Sequence, residues 1–514
     1  MRVVYLENIN DYKQYLNTTE ETHIFVKDLT HRGIFILQEM IEANKNIYAG
    51  KLSRHKDNWF NFYITGNDSP KIKEYQWQNV KMRSYESLLG DHDYTKEQIE
   101  EALTYIYQNF QGMYGAIPST PGSIVANYLK VNSYMKYDAT AVKFSHGAFQ
   151  PGAINIMPQY INQCIRYETH LDIRQAYASI MKNNLFPIGE PEYIDSDVAT
   201  KEEFDKLLNS PLNIIHIIGG IVKLKPNGFP LLQSNAQQKS ILTDKKTLKT
   251  LILDEYNIEY DISELYDGLY LTTPAYQVLL QNYDIIEPLQ VLDGIYWKQG
   301  QIGIGTNFIN KIYELRTTTT NPALKNFAKL CNEYCAGMFE RKFINEANPW
   351  QDLDGNKKKG IVKKSALNCS IGDFITDYLR LQISNILQLL PHDWVIGYDT
   401  DGIFIGQPRE DIEPMVAHLL GNKPGQCHFD CEYEYVTHLA NKQYYGFDTN
   451  GVIFGKIAGV NNGDEVAEKL LNHVDLQDIT VVNYVWNKKD HTYNLVEQKA
   501  KLKLNIMEDE RYYE

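Results

Sequence analysis

The chain has 514 residues, 43% hydrophobic and 23% charged, so it can bury several cores and is not an intrinsically disordered chain. Its formal net charge of -14 argues against nucleic-acid binding over the whole surface, although a local basic groove is compatible with it. There is no apolar run of the roughly 18 residues that a membrane span needs, no signal-peptide layout and no disulfide framework, which predicts a soluble cytoplasmic protein.

The segment YETHLDIRQAYASIMKNNLFPIGEP, residues 167–191, contains the first candidate site. We expect a strand that ends at Asp172, a turn that delivers Ile173 to Tyr177, and a short helix that closes at Pro187. Beyond it, residues 195–310 alternate short apolar runs with Gly, Pro and Asn, which predicts a mixed α and β insert.

From Thr317 the pattern becomes helical. Asn321 is a plausible N-cap, and Pro322 occupies the first helical position. One face repeats apolar residues at helical spacing, namely Phe327, Leu330, Cys331, Tyr334 and Met338. Another face presents charged residues at steps of four, namely Lys325, Lys329 and Glu333.

A second apolar helix is predicted over residues 371–390, ended by Pro391, and WVIGYDTDGIFIG follows as strand, turn and strand. Asp399 and Asp401 stand two residues apart in this apolar hairpin, so both side chains leave the same face. Because buried carboxylates are costly without a counter-charge, a cation is expected there.

Two divalent metals about 3.5–4 Å apart need ligands from separate strands, and Asp172 is suited to be the third carboxylate. Magnesium takes oxygen ligands and keeps some of its waters, so a few carboxylates together with phosphate oxygens suffice.

Two basic stretches could follow a phosphate backbone. One is GNKKKGIVKK, with Lys357, Lys358 and Lys359, and the other is the strand-like EQKAKLKL, where Lys499 and Lys501 alternate onto one face. Either could equally be a solvated loop or a charged edge strand.

In order along the chain, these motifs resemble those of family B DNA polymerases, and specifically the protein-primed polymerases of bacteriophages with linear genomes. DIRQAYASIM resembles the first palm motif of that family, and YDTDG resembles the third, with Gly402 in place of serine. LRTTTTNPALKNFAKLCNEYCAGMF is similar to the fingers motif and the basic segment before it, and the resemblance spans about residues 85–460.

The resemblance implies an α+β, multidomain, right-hand polymerase with palm, fingers and thumb, and an N-terminal degenerate RNase H-like exonuclease-type domain. It implies these bounds: residues 1–135 for the exonuclease-like domain, 136–191 and 366–448 for the palm, 192–312 for an insert that docks a priming protein, 313–344 for the fingers, 345–365 for an insert that aids strand displacement, and 449–514 for the thumb. A monomer in the host cytoplasm is expected, with template and primer DNA, deoxynucleotides and a priming protein as partners.

Carried over residue by residue, the resemblance makes Asp172 and Asp401 the principal ligands of two Mg²⁺ or Mn²⁺ ions, with Asp399 and Ile173 beside them. Tyr177 would lie under the incoming sugar and exclude a 2′-hydroxyl. Basic residues would contact the triphosphate, namely Arg316, Lys325 and Lys329, and the element KQY would hold the primer end through Lys442 and Tyr444.

Several positions depart from the family pattern. In the fingers motif, Glu333, Tyr334 and Ala336 replace Asn, Ser and Tyr, so an aromatic wall of the nucleotide pocket is lost and Glu333 can pair with Lys329. The family element YxGG, which links the nuclease and polymerase domains, is matched only in part by Phe149, Gln150, Pro151 and Gly152. Activity or nucleotide choice is therefore expected to be unusual.

The N-terminal segment resembles a proofreading nuclease without its acids. His31 and Arg32 stand where the second motif has Phe and Asp, and Tyr94 fits the third motif while Gln98 replaces its Asp. A two-metal nuclease needs those carboxylates, so a scaffold without exonuclease activity is predicted. An unrelated N-terminal domain stays the alternative.

Two rival functions remain open on the sequence alone. A catalytically impaired descendant could act as a nucleic-acid or priming-protein binding module, which the altered fingers motif favours and the palm acids oppose. The other rival is a nucleotidyltransferase with relaxed template dependence, which the loss of the aromatic residue from the nucleotide pocket favours.

Overall fold

The structure is a computed structural model. It describes residues 2–7, 11, 14, 22–26, 53–54, 60–64, 71–73, 76–77, 80–90, 92–110, 120–133, 139–232, 259–265, 268–339, 343–344, 350–351, 357–358, 361–362, 369–457, 462–472, 480–487 and 492–499. His31, Arg32, Lys359 and Lys501 therefore lie outside the described residues.

The helices of the described residues are α1 (Glu86–Leu89), α2 (Lys96–Asn109), α3 (Pro121–Ser133), α4 (Ala139–Ala148), α5 (Ala176–Asn183), α6 (Lys201–Asn209), α7 (Thr273–Asn282), α8 (Thr306–Thr318), α9 (Pro322–Gly337), α10 (Cys369–Leu387), α11 (Arg409–Val416) and α12 (Gly463–Leu471). Short 3-10 turns cover Pro158–Tyr160, Ile262–Glu264, His392–Trp394 and Ala417–Leu419. None of the helices in the described ranges combines the length and the apolar composition needed to cross a bilayer.

The strands of the first half are β1 (Arg2–Leu6), β2 (Thr22–Val26), β3 (Ser53–Arg54), β4 (Phe60–Ile64), β5 (Lys71–Lys73), β6 (Gln76–Trp77), β7 (Val80–Ser84), β8 (Ile154–Ile156), β9 (Cys164–Ile173), β10 (Leu185–Pro187), β11 (Glu192–Asp195), β12 (Asn213–Leu224) and β13 (Glu259–Asp261).

The strands of the second half are β14 (Leu269–Thr272), β15 (Tyr283–Tyr296), β16 (Gly300–Ile302), β17 (Phe343–Ile344), β18 (Trp350–Gln351), β19 (Lys357–Lys358), β20 (Ile361–Val362), β21 (Val395–Asp399), β22 (Gly402–Ile405), β23 (Cys427–Ala440), β24 (Gln443–Asp448), β25 (Ile453–Ile457), β26 (Thr480–Asn487) and β27 (Thr492–Lys499).

The chain divides into two compact units. The first contains residues 1–131, 305–338 and 484–494, and the second contains 132–304, 339–483 and 495–514. The first unit is therefore discontinuous in sequence, because it takes in the two helices α8 and α9 from the middle of the chain.

In the first unit, a small sheet has the strand order β1-β2-β7-β6, with β1, β2 and β7 parallel. Helix α2 packs on β1, and the ring of Tyr107 meets that of Phe25 edge to face at 5.7 Å. Thr95 begins α2 with a capping box: its hydroxyl accepts from the Gln98 amide, and the Gln98 side chain accepts from the Thr95 amide.

Helices α8 and α9 pack against each other in the first unit. Helix α8, which begins at Thr306 and ends at Thr318, was not predicted from the sequence. The predicted cap is confirmed, because the Asn321 side chain accepts from the amides of Ala323 and Leu324 and Pro322 is the first residue of α9. The buried residues of α9 include Phe327 and Cys331 of the predicted apolar face.

The second unit contains a seven-stranded sheet in the order β25-β24-β23-β9-β22-β21-β8, with antiparallel neighbours throughout. The strand-turn-strand predicted around Asp399 and Asp401 is confirmed as β21 and β22. The predicted helix over 371–390 is confirmed as α10, which ends at Leu387 before Pro391. Helix α10 packs against α4, α5 and α7.

The end of the short helix after Asp172 differs from the prediction. Strand β9 runs to Ile173, α5 ends at Asn183, and Leu185–Pro187 form strand β10 instead of a last helical turn. Residues 185–187 form a strand and not a helical turn because β10 pairs with β16. Its backbone groups are hydrogen-bonded by this partner strand, about 115 residues later in the chain.

The predicted mixed insert is also confirmed as mixed. Strands β11, β15, β12 and β13 form one sheet in that order, with β14 paired to β12, and helices α6 and α7 lie in the same stretch. The long β12–β15 pair contains several register irregularities, one of them around Gly219 and Gly220. At Gly220, whose φ is +112°, a side chain would meet the backbone of Pro288 and Leu289.

Candidate functional site

The turn between β21 and β22 holds two acids in a strained loop. Asp399 pairs with Gly402 in the ladder, so Thr400 and Asp401 form a two-residue loop. Thr400 has a φ of 61°, which is unfavourable for a β-branched residue. Its amide donates to the Ala153 carbonyl at 2.7 Å, and a Cβ on Gly152 would lie 2.8 Å from its side chain. The surviving glycine of the 149–152 element thus leaves room for the acidic turn.

Asp172 lies directly beside this turn. It pairs with Gly402 across the β9–β22 ladder, and the Ile173 amide donates to the Asp401 carbonyl at 3.1 Å. A Cβ on Gly402 would lie 3.7 Å from Asp172 Oδ1, which is ordinary van der Waals contact. Strands more than two hundred residues apart in sequence therefore bring Asp172 to the acidic hairpin, as expected.

Burial and neighbouring charges disfavour the ionisation of both acids. Burial, followed by the charge of Asp430, raises the pKa of Asp172 to about 6. Burial, followed by the charge of Asp172 and with a smaller contribution from Asp399, raises the pKa of Asp401 to about 7. Ionising both at neutral pH is therefore unfavourable unless a cation joins them.

Asp399 has a different partner. Its Oδ1 lies 3.2 Å from Lys442 Nζ and accepts from the Thr400 hydroxyl at 3.1 Å. Lys442 occupies the tight β23–β24 turn with a φ of 61°, which aims its side chain at the acidic hairpin. The third predicted acid is thus paired with a lysine.

The donor set fits a divalent cation in its chemistry. Two partly buried carboxylates with raised pKa values supply hard oxygen ligands, and water or phosphate oxygens can fill the other positions. In the described ranges, no group of three or more His, Cys, Asp and Glu side chains is placed to hold a metal ion. Metal binding by Asp172, Asp401, Asp399 and the Ile173 backbone stays a prediction.

Tyr177 lies in the first turn of α5, close to the acids. Burial, and then the charge of Asp401, raises its pKa to about 12. Arg380, which is 1% exposed, lies near enough to oppose that rise. Arg380 also donates to the Leu231 carbonyl at 2.8 Å, donates to the carbonyl of Pro151 and pairs with Asp377. This buried arginine anchors the loop that supports the acidic turn.

Behind Asp172, the same face of β9 carries a buried ionic network. Glu168, with no exposed side-chain surface, accepts from His170 Nε2 at 2.6 Å and from His438 Nε2 at 2.7 Å. Burial opposes ionisation of Glu168, but the two histidines lower its pKa to about 2. Burial also opposes protonation of His170, whose pKa is nevertheless raised to about 9 by Cys431 and Glu168. Both carboxylate oxygens of Glu168 are therefore bonded within the protein.

The predicted primer-end residue Tyr444 packs on this network. Its ring stacks on that of His438 at 5.0 Å, and His438 also stacks on Phe404 at 5.7 Å. Burial raises the pKa of Tyr444 above its ordinary value. Lys442 in the turn thus contacts Asp399, and Tyr444, two residues later in β24, contacts the ring cluster.

His428 was not among the predicted site residues. It pairs with Asp172 across the β9–β23 ladder, its Nδ1 lies 3.1 Å from the Asp172 carbonyl, and its Nε2 is 4.0 Å from Asp172 Oδ2. Asp430 Oδ1 is 3.8 Å from the same Nε2. Burial lowers the pKa of His428.

The sequence contained one signal for these missed residues. Glu168, His170 and Asp172 alternate along a single strand, which places three titratable groups on one face. His438 and His428 belong to β23, and only the pairing of β9 with β23 brings them there.

The predicted triphosphate residues lie in the first unit. Arg316 is half-buried in the last turn of α8, and Lys325 is exposed on α9. Lys329 and Glu333 are each a little over half exposed and lie 3.8 Å apart, which confirms the predicted pairing one turn apart. Of the basic stretches, Lys357 and Lys358 form β19 and Lys499 ends β27; their contact with DNA stays a prediction.

No protein-family model and no curated protein matches the chain. The chain is similar to solved structures of phi29 DNA polymerase. With the complex of primer-template DNA and incoming nucleotide substrates, the TM-score is 0.65 at 16% identity, covering 96% of this chain and 93% of that chain. With the orthorhombic crystal form, it is 0.64 at 17%, covering 96% and 92%. With the post-translocation binary complex, it is 0.62 at 16%, covering 96% and 93%. The chain therefore has the fold of phi29 DNA polymerase.

Proposed function

We propose that this chain is a template-directed DNA polymerase that adds deoxynucleotides to a primer end. The observation that carries the proposal is the convergence of Asp172 and Asp401, each with a raised pKa, at the ends of neighbouring strands. Perturbed acids of this kind are typical of catalytic sites. The shared fold with phi29 DNA polymerase, which has been solved with primer-template DNA and incoming nucleotides, supports the same conclusion.

In this proposal Asp172, Asp401 and the Ile173 carbonyl hold Mg²⁺ or Mn²⁺, with Asp399 beside them. Two such ions, when bound, would activate the attacking hydroxyl and neutralise the charge of the leaving pyrophosphate. The contribution of the chain is to hold the acids close together before the ions arrive. The Thr400 turn, fixed by the Ala153 carbonyl and by Gly152, does this.

The nucleotide would contact one tyrosine and three basic residues. Tyr177, beside the acids, would lie under the sugar and exclude a 2′-hydroxyl by its ring. Arg316, Lys325 and Lys329 would neutralise the triphosphate. Glu333 competes for Lys329 at 3.8 Å, so we expect weaker nucleotide binding than a free lysine would give.

The primer end would meet Lys442 and Tyr444. Lys442 reaches Asp399, so a phosphate near this turn would exchange one anionic partner for another. Lys357, Lys358, Lys359, Lys499 and Lys501 would contact the DNA backbone, which makes binding weaken as salt rises. Sequence would be read by template pairing.

Further parts of the proposal rest on the family resemblance. The first primer would be a hydroxyl of a priming protein docked on the insert of residues 192–312. The N-terminal domain would lack proofreading, and the enzyme would act as a monomer in the cytoplasm of a phage host. Incubation with a mismatched, labelled primer end tests the proposed lack of proofreading, since release of the terminal nucleotide would contradict it.

A primer-extension experiment tests the main proposal. The protein is incubated with Mg²⁺ or Mn²⁺, each single deoxynucleotide, and a primed or unprimed template, beside Asp401→Ala and the exposed control Asp411→Asn. Template-matched extension that Asp401→Ala abolishes and Asp411→Asn retains supports the polymerase. Extension without a template indicates relaxed template dependence.

The second candidate is a binding module without turnover. The ion pair of Lys329 with Glu333 favours it, because it lowers the positive charge offered to a triphosphate. Tight DNA binding with no extension on any substrate would identify this function.

A further inference from the structure

Helix α9, which carries Lys325 and Lys329, is bonded at its start to a helix of the N-terminal segment. Asn321 is 5% exposed, and its Oδ1 caps α9 by accepting from the amides of Ala323 and Leu324. Its Nδ2 points the other way and donates to the Gln98 carbonyl at 3.0 Å and to Glu101 Oε2 at 2.8 Å, both on α2. One side chain therefore both starts α9 and fixes it to α2.

A second amide makes a similar bond one turn further along α9. Asn326 Nδ2 donates to the Leu89 carbonyl at 2.5 Å, and the Tyr94 hydroxyl donates to the same carbonyl at 3.2 Å. Gly90 makes this approach feasible: its φ is +82°, and a Cβ there would lie 2.4 Å from Asn326 Nδ2. The carbonyl is thus presented to α9 by a conformation that favours glycine.

Apolar contacts extend the attachment to the other end of α2. The Phe110 ring lies 5.4 Å from that of Phe327 on α9 and 6.3 Å from that of Phe308 on α8. Lys311 of α8 lies 4.3 Å from the centre of the Phe110 ring and donates to the Asn109 carbonyl at 2.7 Å. We call residues 85–90 and 92–110 the holding segment, because their contacts with the α8–α9 pair extend from Leu89 to Phe110.

The holding segment includes the two positions that match the third proofreading motif. Tyr94 shares the Leu89 carbonyl with Asn326, and Gln98, where the motif has an acid, closes the capping box of α2 and offers its carbonyl to Asn321. Both positions of the proofreading motif therefore take part in the hydrogen bonds that hold α9.

We propose that the holding segment positions α9 for nucleotide binding, and that Asn321 and Asn326 are positioning residues through which the N-terminal region sets the nucleotide affinity. This inference rests on the proposed polymerase function. Lys329 follows Asn321 by two turns, so it lies about 12 Å further along the helix axis. A tilt of α9 about its start by roughly 10° would displace Lys329 by about 2 Å, enough to weaken a charge-assisted contact with a phosphate.

The test uses isosteric substitutions that keep the cap. In Asn321→Asp, the carboxylate still accepts from the Ala323 and Leu324 amides, but it cannot donate to Gln98 and it repels Glu101. Asn326→Asp removes the donor to the Leu89 carbonyl. Asn310→Asp, exposed on α8, is the control with the same change of charge. The double variant Asn321→Asp with Glu101→Gln removes the repulsion and is the rescue.

The readout separates nucleotide binding from folding. We expect the nucleotide KM of Asn321→Asp and Asn326→Asp to rise about tenfold, with kcat and the Kd for primer-template DNA within about twofold of the wild type. Asn310→Asp should match the wild type, and the double variant should recover part of the loss. A fall in kcat at unchanged KM, or a loss of activity equal to the unfolded fraction, would overturn the inference.

A second measurement distinguishes failure of this inference from failure of the proposed function. If the wild type extends no primer, the proposed function fails, and binding of a labelled deoxynucleoside triphosphate in the presence of Ca²⁺ tests the inference alone. Weaker triphosphate binding by Asn321→Asp, with faster amide exchange confined to α9, supports it. Unchanged binding and unchanged exchange in α9 contradict it.

Discussion

Glu168 and Asp172 lie four residues apart on one face of β9, yet their surroundings are opposite. Glu168 is enclosed by two histidines that lower its pKa to about 2, whereas burial and the charge of Asp430 raise the pKa of Asp172 to about 6. The first acid is satisfied within the protein and contributes to stability. The ionised form of the second is disfavoured, which is the condition under which a cation or a reacting group is bound.

The strongest test of this contrast removes Asp401, the other acid whose ionisation is disfavoured. Asp401→Asn should lower primer extension on the order of a thousandfold, because an acid in the proposed metal site is lost. The same change should not lower thermal stability at pH 8, since ionised Asp401 opposes folding above its raised pKa of about 7. Primer extension and a thermal melt measure both effects, and a large drop in Tm would contradict the assignment.

The opposite change removes the satisfied acid. Glu168→Gln should lower the free energy of unfolding by about 3–5 kcal/mol, because two buried imidazoles lose their carboxylate. The pKa of Glu168 is lowered from 4.5 to about 2, so its contribution is lost as pH falls through that window. The pKa of His170 is raised from 6.5 to about 9, so the stability that protonated His170 contributes is lost as the pH rises through this second range.

The difference between wild type and Glu168→Gln should therefore be greatest between pH 4.5 and 6.5. Urea unfolding at several pH values measures it, with the exposed Glu410→Gln as the control. A difference that does not change with pH would show that packing, and not charge, holds the network.

The support of the acidic turn can be tested at a glycine. Gly152→Ala places a Cβ 2.8 Å from the Thr400 side chain, and overpacking of this kind costs about 1–3 kcal/mol. We expect extension to fall with it, because the turn that holds Asp401 must move. Gly402→Ser is the matched control, since its Cβ would have 3.7 Å to Asp172 and should be tolerated. Equal activity of both variants would exclude the supporting role of Gly152.

Cations should stabilise the protein in a pH-dependent way. The pKa values of Asp172 and Asp401 are raised to about 6 and about 7, so both acids are ionised at pH 8 and mostly protonated at pH 5.5. Saturating Mn²⁺ should raise Tm by about 2–4 °C at pH 8 and by much less at pH 5.5. The shift should vanish in Asp401→Asn; a shift of the same size there would locate the ion elsewhere.

The smallest effect is expected at the exposed ion pair of α9. Glu333→Gln frees Lys329, and because pairs of this kind contribute only about 0.3–0.5 kcal/mol, the nucleotide KM should fall about twofold. Steady-state kinetics at low salt measures the change, with Glu314→Gln on α8 as the control. A rise in KM would mean that Glu333 itself assists binding.

Local signals in the sequence were sufficient for three elements of the fold. The Asn-Pro start of α9, the apolar stripe of α10 before Pro391, and the β21–β22 hairpin all follow from residues within a few positions of each other. The neighbouring positions of Asp172 and Asp401 followed from a resemblance of motifs, and the structure brings the two strands together.

What the sequence could not reveal depends on distant pairing. Glu168 meets His438 across 270 positions, and β10 is a strand only because β16 lies beside it. Helix α8 was missed because Gly305, in a left-handed conformation, marks its start without a side-chain cap. The pairing of Asp399 with Lys442 likewise requires the tight turn between β23 and β24.

Gly90 has a consequence for recognising relatives of this chain. Its left-handed backbone and its closeness to Asn326 favour glycine at that position, and Asn321 can be replaced by few residues that both accept and donate. These features define a sequence signature that can be searched for in genomes. It consists of a Leu-Gly pair whose glycine lies eight residues before a capping-box glutamine, and of an Asn-Pro pair with a second Asn five residues after the first Asn. Chains that carry it are expected to share this attachment even where overall identity is too low to detect descent.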